Sequence, residues 1–360
     1  MEKPPKASPE KVKPLTPESL AAEGEGVSGS SSGLAERLRR YGTAKARNHE
    51  MADHLVKDGR RNLADRLYDC GSYLRFRHYL THQQTRLVES RSCDVSLLCP
   101  LCAIRRGGRL LRRYLERCEY IAPGHDFYMV TLTVKNGPDL AERYKHLLAS
   151  WKRLNQRAKK GYGAFADASG AFGSIEFTKS EHGWHPHMHM LWAMPKGTPP
   201  LRWGQGSQLG MDWLAATGDS YIVHARPIEA AGVPATGAGG ADTVAGTPAA
   251  DALVGALCEV LKYALKFGSL SLDDNLHAYD VLKGKRLSRA YGCFWGLEVP
   301  EKLDDDPMDG PFIEWLFRYA GARGYLLSGA SVDATVGPER TKPHGITHQT
   351  DGGSQDPAIA

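Results

Sequence analysis

No stretch of the 360 residues reaches the roughly 18 consecutive apolar residues that a membrane-spanning helix needs, so insertion into a membrane is not expected. Cysteine is scarce as well. Seven residues, an odd number, are too few and too scattered for a disulfide scaffold, and a reducing cytoplasm is the compartment they suggest. Met1 to Leu20 hold four lysines and five prolines but no apolar run of signal-peptide length, which argues against secretion. Internal repeats are absent, excluding solenoids and propellers. So is a Gly-x4-Gly-Lys-Ser/Thr loop, and P-loop nucleotide hydrolysis is therefore not expected. Nor is there a large excess of one charge: 46 Lys and Arg against 41 Asp and Glu leave +5, which permits a nucleic-acid partner without requiring one.

What is there supports a packed core, since the 41% apolar share rules out a wholly disordered or fibrous chain. Residues 1–33 and 330–360 lack a hydrophobic period and are expected to be disordered tails. Between them, 34–90 reads as helical, because Leu34, Leu38, Tyr41, Leu63, Leu67, Tyr68 and Leu74 recur at helical spacings. With a cysteine cluster and an arginine-rich helix it is expected to make one helical region over 34–120. Phe127 to Val134 is a β-branched and aromatic run expected to be a central strand. Asp139 to Lys160 is an amphipathic helix, and Phe172 to Lys179 with His185 to Met194 form an antiparallel hairpin. A short helix at 207–217, a strand at Tyr221 to Ile228, a low-complexity insertion at 230–250 and a helix from Asp251 to Phe267 follow. The order implies an α+β domain over 121–300, a central antiparallel sheet with helices on one face. Residues 301–329 form a C-terminal extension containing a helix at Pro311 to Ala320.

The sharpest local signal is Trp184-His185-Pro186-His187-Met188-His189-Met190-Leu191. Alternation along a strand puts His185, His187 and His189 on one face and the methionines on the other. Three imidazoles in a row make a poor core surface and a good donor set for a divalent metal. Glu176, on the partner strand, is a candidate further ligand. It shares that face only if the hairpin pairs even positions with odd ones, and the sequence leaves the register open. On the last predicted helix, Glu259, Lys262, Tyr263 and Lys266 fall on one continuous stripe. A strand of metal-ligand histidines followed by a tyrosine, a lysine and a carboxylate supplies the parts of phosphoryl transfer: Lewis acid, nucleophile, cation and general base.

These segments carry a family resemblance. Val130 to Asn136 resembles the first motif, His185 to Leu191 the second and Glu259 to Lys266 the third of the HUH rolling-circle replication initiators, in the family's order. The chain looks most like the plasmid branch that pairs one tyrosine with a glutamate four residues before it. The resemblance implies an HUH endonuclease fold and a DNA nickase and ligase working through a 5′-phosphotyrosyl intermediate that leaves a 3′-OH primer. It also implies Mg²⁺ or Mn²⁺ as cofactor, plasmid origin DNA as partner, and a host helicase and polymerase. Carried over by position, His187 and His189 bind the metal, Tyr263 is the nucleophile, Glu259 activates water in the terminating cleavage and Lys262 neutralises the phosphate.

Cys93, Cys99 and Cys102, with Cys70 upstream, offer four thiolates for a tetrahedral Zn²⁺ site and resemble the Cys-rich segment that precedes the first motif in these initiators. Arg105, Arg106, Arg109, Arg112 and Arg113 on one predicted helix, and Lys152, Arg153 and Arg157 on another, are candidate phosphate contacts. Over 105–160, fourteen basic residues stand against five acidic ones. Two other readings stay open: an HUH transposase or mobilisation relaxase, and a non-catalytic zinc-dependent DNA-binding protein. The glutamate at 259, where a two-tyrosine transposase would carry a second tyrosine, favours the initiator.

Overall fold

The computed structural model describes residues 27–28, 31–204, 206–228, 248–261, 270–297, 303–305 and 307–333. Its elements in chain order are β1 (Val27–Ser28), α1 (Ser31–Lys57), α2 (Arg61–Asp69), β2 (Tyr73–Tyr79), β3 (Gln84–Ser90), α3 (Pro100–Ile121), β4 (His125–Thr133), α4 (Leu140–Ala158), β5 (Gly170–Ser180), β6 (Gly183–Pro195), α5 (Gln208–Thr217), β7 (Val223–Ile228), α6 (Pro248–Val260), α7 (Leu272–Leu282), β8 (Ser288–Gly292), β9 (Phe312–Tyr319) and β10 (Tyr325–Asp333). The class is α+β, as expected: the described residues form two five-stranded sheets, every strand pair among them antiparallel, flanked by helices.

The larger sheet runs β7-β4-β6-β5-β8, with β4 in its interior. Strict alternation builds its centre. In β6, Trp184, Met188, Met190 and Trp192 are buried on one face beneath α4, α5 and α7. The opposite face carries Phe127, Met129, Phe172 and Leu191 under α3 and α6. Helices therefore cover both faces, where the sequence suggested one. The β5–β6 turn needs its glycine: Gly183 has φ +97°, and a Cβ there would sit 2.4 Å from the Gly137 carbonyl. That close approach ties the turn to the loop after β4, through the Gly137 and Trp184 backbones. Asp139 caps α4 by accepting from the N–H groups of Ala141 and Glu142 at 2.7 and 3.1 Å, which fixes where the chain turns back over the sheet.

The second sheet, β1-β3-β2-β9-β10, corrects three expectations. Residues 73–79 and 84–90 are a β-hairpin rather than part of a helical region. Residues 312–319 are a strand, not a helix, and β10 extends to Asp333, inside the expected C-terminal tail. The hairpin's own alternation, Leu74 and Phe76 buried between half-buried Tyr73, Arg75 and Arg77, is a strand pattern. The expected N-terminal tail ends in the first turn of α1 at Ser31, and its residues before 27 lie outside the described residues, as do the insertion at 230–247 and residues 334–360. One face of this sheet packs Leu74, Phe76 and Phe317 against Tyr41, Met51 and Leu55 of α1. The expected C-terminal extension is thus integral to the N-terminal module.

A buried ionic knot closes that module. Asp305 is 8% exposed, accepts from Arg37 Nη2 at 3.1 Å and from the Leu87 N–H at 2.8 Å, and its own N–H donates to the Leu87 carbonyl at 2.8 Å. Burial alone would raise the Asp305 carboxyl, but the Arg37 guanidinium, the Leu87 N–H and Arg112 outweigh it and hold it below the ordinary carboxylate range. With a depressed folded-state pKa, the stabilisation is complete above the unfolded value of about 3.9 and fades as pH falls through the folded value. Asp305→Ala is expected to cost about 3–5 kcal/mol at pH 7, by removing the carboxylate from buried Arg37, and to flatten the acid limb of the stability profile. Urea unfolding from pH 7 to pH 3 measures both; unchanged stability at pH 7 would deny the knot its role.

Candidate functional site

The hairpin register decides the chemistry. Glu176 on β5 lies directly opposite His187 on β6, and Ser174 opposite His189, so even positions do pair with odd ones and Glu176 shares the histidine face. A single carboxylate oxygen, Glu176 Oε2, lies 2.9 Å from His187 Nε2 and 3.0 Å from His189 Nε2. The carboxylate is 1% exposed and the two imidazoles 12% and 11%.

The far side of each ring carries an oxygen. His187 Nδ1 contacts the His185 carbonyl at 3.4 Å, and His189 Nδ1 contacts the Thr131 hydroxyl of β4 at 3.1 Å. A carbonyl only accepts, so His187 Nδ1 carries the hydrogen, and a neutral ring then aims its Nε2 lone pair at the carboxylate. Lone pair facing lone pair in a buried setting is repulsive unless a cation sits among the three groups or the rings are protonated. The donor set, one carboxylate and two imidazoles with orienting partners behind them, fits a divalent metal. His185 is the exception among the expected ligands. It is half-buried beside His187, ring centroids 5.6 Å apart, but does not join the converging donors. Burial, then the His187 imidazole, lowers its pKa below the ordinary histidine value. It contributes its carbonyl to His187 instead.

Helix α6 lies on this same face. Ala256, Leu257, Cys258, Val260 and Leu261 pack with Phe172, Leu191 and Ala193, and the Ser174 hydroxyl donates to the Val260 carbonyl. Ser174 stands opposite His189 and two residues before Glu176 on β5, so the end of α6 is tied beside the donor cluster. Glu259 is half-buried on that last turn. Lys262 and Tyr263 lie outside the described residues.

The second donor cluster is the expected tetrathiol. Sγ of Cys70 lies 3.6 Å from that of Cys99 and 3.5 Å from that of Cys102, and Cys93 is 3.5 Å from Cys102. These separations are far longer than a disulfide bond of about 2.05 Å and close to the edge of about 3.8 Å of a tetrahedron with 2.3 Å zinc–sulfur bonds. The α3 N-terminus builds half of it, with Cys99 as N-cap accepting from the Cys102 N–H at 3.3 Å. Asn48 Nδ2 donates to Cys99 Sγ at 2.9 Å, and the buried Lys45 ammonium donates to the Leu67 and Tyr68 carbonyls nearby. Burial pushes the Cys99 thiol well up, whereas contacts from Cys70, then Cys93 and Cys99, draw Cys102 down. Such a group fits a cation that neutralises the thiolates.

The basic residues divide. Arg105 is 3% exposed and held by Asp304 and Ser90, and Arg109 is 6% exposed. Both line a small space beside Arg37 and Asp305 rather than an open surface, because α3 is sandwiched: its first turns pack in the N-terminal module and Leu111, Tyr114 and Cys118 against the larger sheet. Arg112 approaches Asp305 at 4.0 Å, while Arg106 is exposed, as is Arg113, which pairs with Glu116 at 3.2 Å. On α4, Lys152 is exposed, Arg153 donates to the Ala216 carbonyl and Arg157 lies 3.4 Å from Asp212. That helix covers the face opposite the Glu176 cluster. Thr131 and Ser174, which bond His189 and the end of α6, are positions the alternation could have flagged once the register was known. Asn48 and Lys45, on α1, have no sequence signal near the cysteines.

Comparison with known proteins adds the following. The Rep_1 family, described as "Replication protein", matches residues 84–311. "Protein rep" of Staphylococcus aureus is 26% identical over 205 residues, spanning 54% of this chain and 86% of that protein. No solved structure matches the chain. The family match takes in Cys93, Cys99, Cys102, Glu176, His187, His189 and Glu259.

Native mass spectrometry is expected to find one zinc ion held by the thiol cluster. Cys102→Ser should release it and lower the melting temperature by about 10 °C or more. A metal-free protein of unchanged melting temperature would make the cysteines ordinary core residues.

Proposed function

The chain belongs to the Rep_1 replication protein family, and from that premise we propose that it is a plasmid rolling-circle initiator that nicks and rejoins single-stranded origin DNA. The observation that carries the reading is the buried Glu176 carboxylate set between His187 and His189, on the sheet face where α6 ends three residues before Tyr263. Glu176, His187 and His189 would hold Mg²⁺ or Mn²⁺, and the thiol cluster Zn²⁺. The divalent ion bound at the carboxylate and imidazoles would supply Lewis-acid polarisation of the scissile phosphodiester.

The chain's own residues do the rest. The Tyr263 hydroxyl loses its proton as its oxygen attacks phosphorus, the bond to the 3′ oxygen breaks and that oxygen takes up a proton, and the DNA is left with a free 3′-OH and a 5′-phosphotyrosyl link to the protein. That link conserves the phosphodiester's free energy, so attack by a 3′-OH reverses it without ATP. Glu259 takes a proton from water when the second cleavage ends the cycle, and Lys262 offsets phosphate charge. The partners in this reading are the plasmid origin and a host helicase and polymerase, in the cytoplasm where that DNA lies. No helix of the described residues is long and apolar enough to cross a membrane.

Incubation with tiled single-stranded origin oligonucleotides and Mn²⁺ should give a denaturant-resistant protein–DNA adduct. Tyr263→Phe should give none, and Glu259→Ala should form the adduct but fail to release it after the second cleavage. No adduct from the wild type, or an undiminished one from Tyr263→Phe, would overturn the proposal.

A further inference from the structure

The Glu176 cluster does not stand alone on its face. In register, Thr131 pairs with His189 on one side and with His224 of β7 on the other, and Met129 pairs with Arg226. Directly opposite residues share a face, so His224, Thr131, His189 and Ser174 form one polar row across four strands. Two strand spacings separate His224 from His189, about 10 Å. Ile222 precedes His224 by two residues and continues the alternation, its carbonyl accepting from the Thr133 N–H at 3.4 Å. The edge strand thereby presents Ile222, His224 and Arg226 on the side that bears the donor cluster.

All three are exposed, Ile222 to 52%. Among the described residues no side-chain hydrogen bond or ion pair engages His224 or Arg226. The same face is closed off elsewhere: Ile228, at the far end of β7, packs into the cluster under α3 and α6. β7 therefore leaves α6's cover just where it reaches the row of His189. An apolar side chain, a ring and a guanidinium spaced along one exposed edge match the needs of single-stranded nucleic acid: a surface for base or sugar, a stacking partner and a phosphate cation.

We infer that Ile222, His224 and Arg226 form a subsite for the single-stranded DNA nucleotide adjoining the scissile phosphate, with Arg226 on its phosphate and His224 stacked on its base. The inference rests on the reading of the chain as a single-strand nickase. It adds an edge-strand track that leads the strand across the sheet into the donor cluster.

The test uses the full-length, metal-loaded protein and a fluorescein-labelled oligothymidylate of about 15 nucleotides, followed by fluorescence anisotropy over a salt series. Arg226→Ala should weaken binding by about 3- to 10-fold at 0.1 M salt (about the physiological range) and flatten the log–log salt slope by about 0.7, the loss of one phosphate contact on a single strand. His224→Ala should weaken binding about 5-fold or more with the slope little changed, as loss of stacking does. Lys145→Ala, exposed on α4 across the sheet, should bind as the wild type does, and all variants should keep their melting temperature. Wild-type affinity and slope in Arg226→Ala, or an equal loss in Lys145→Ala, would overturn the subsite. Should the Tyr263 adduct fail to form while Arg226→Ala still loses oligothymidylate binding, the nickase reading falls and the single-strand track stands. An adduct that forms normally beside unaltered Arg226→Ala binding sinks the subsite alone.

Discussion

A carboxylate buried to 1% exposure and shared by two imidazoles is the constraint on which the rest of the molecule depends. Leaving such a group without a compensating cation costs several kcal/mol, so the protein holds it only because the surrounding structure fixes three donors at one point. That requires a particular register between β5 and β6, a glycine turn that allows it, and β4 alongside to offer the Thr131 hydroxyl to His189. It also requires a helix on the same face, and the Ser174 hydroxyl fastens α6 to the strand that carries Glu176. The carboxylate, the two imidazoles, their orienting groups and the helix end are thus parts of one hydrogen-bonded arrangement.

The N-terminal module supports this centre through α3. The helix begins at the thiol cluster and ends against the sheet, with Tyr114 stacked on Phe172 at 3.8 Å between ring centroids. Four converging cysteines at its start, with Cys99 as N-cap, gather the chain where a helix end would otherwise fray. The C-terminal strands β9 and β10 complete the module's sheet, and Asp304 and Asp305 lock α1, β3 and α3 together. Arg60 pairs with Asp280 of α7 through two bonds, at 2.5 and 2.8 Å, a further tie between module and larger sheet.

The core of the larger sheet was legible because β4 is a β-branched and aromatic run, β6 alternates through its histidines and methionines, and α4 carries a recognisable cap and apolar stripe. Its histidine pair was legible for the same reason. Glu176 needed the register, a long-range property that a two-residue turn sets only in three dimensions. His185 was over-read: alternation puts it on the right face, but the position of Glu176 selects His187 and His189 and leaves His185 to supply a carbonyl. Arg105 and Arg109 looked like phosphate contacts because nothing near them in sequence announces Asp304 and Asp305, some two hundred residues away. The misread helix at 311–320 has the same origin. Phe312 to Tyr319 is apolar without a clear period, and its identity as a strand comes from pairing with β2.

The central claim is that Glu176, His187 and His189 are a metal centre and not a hydrogen-bonded trio. Calorimetric titration of the zinc-loaded protein with Mn²⁺ tests it most directly. Wild type should bind one Mn²⁺ beyond the thiol-held ion, and Glu176→Gln, which keeps the side chain's shape and removes its charge, should lose that binding while retaining its zinc and its melting temperature. Equal Mn²⁺ affinity in Glu176→Gln and wild type would contradict the claim.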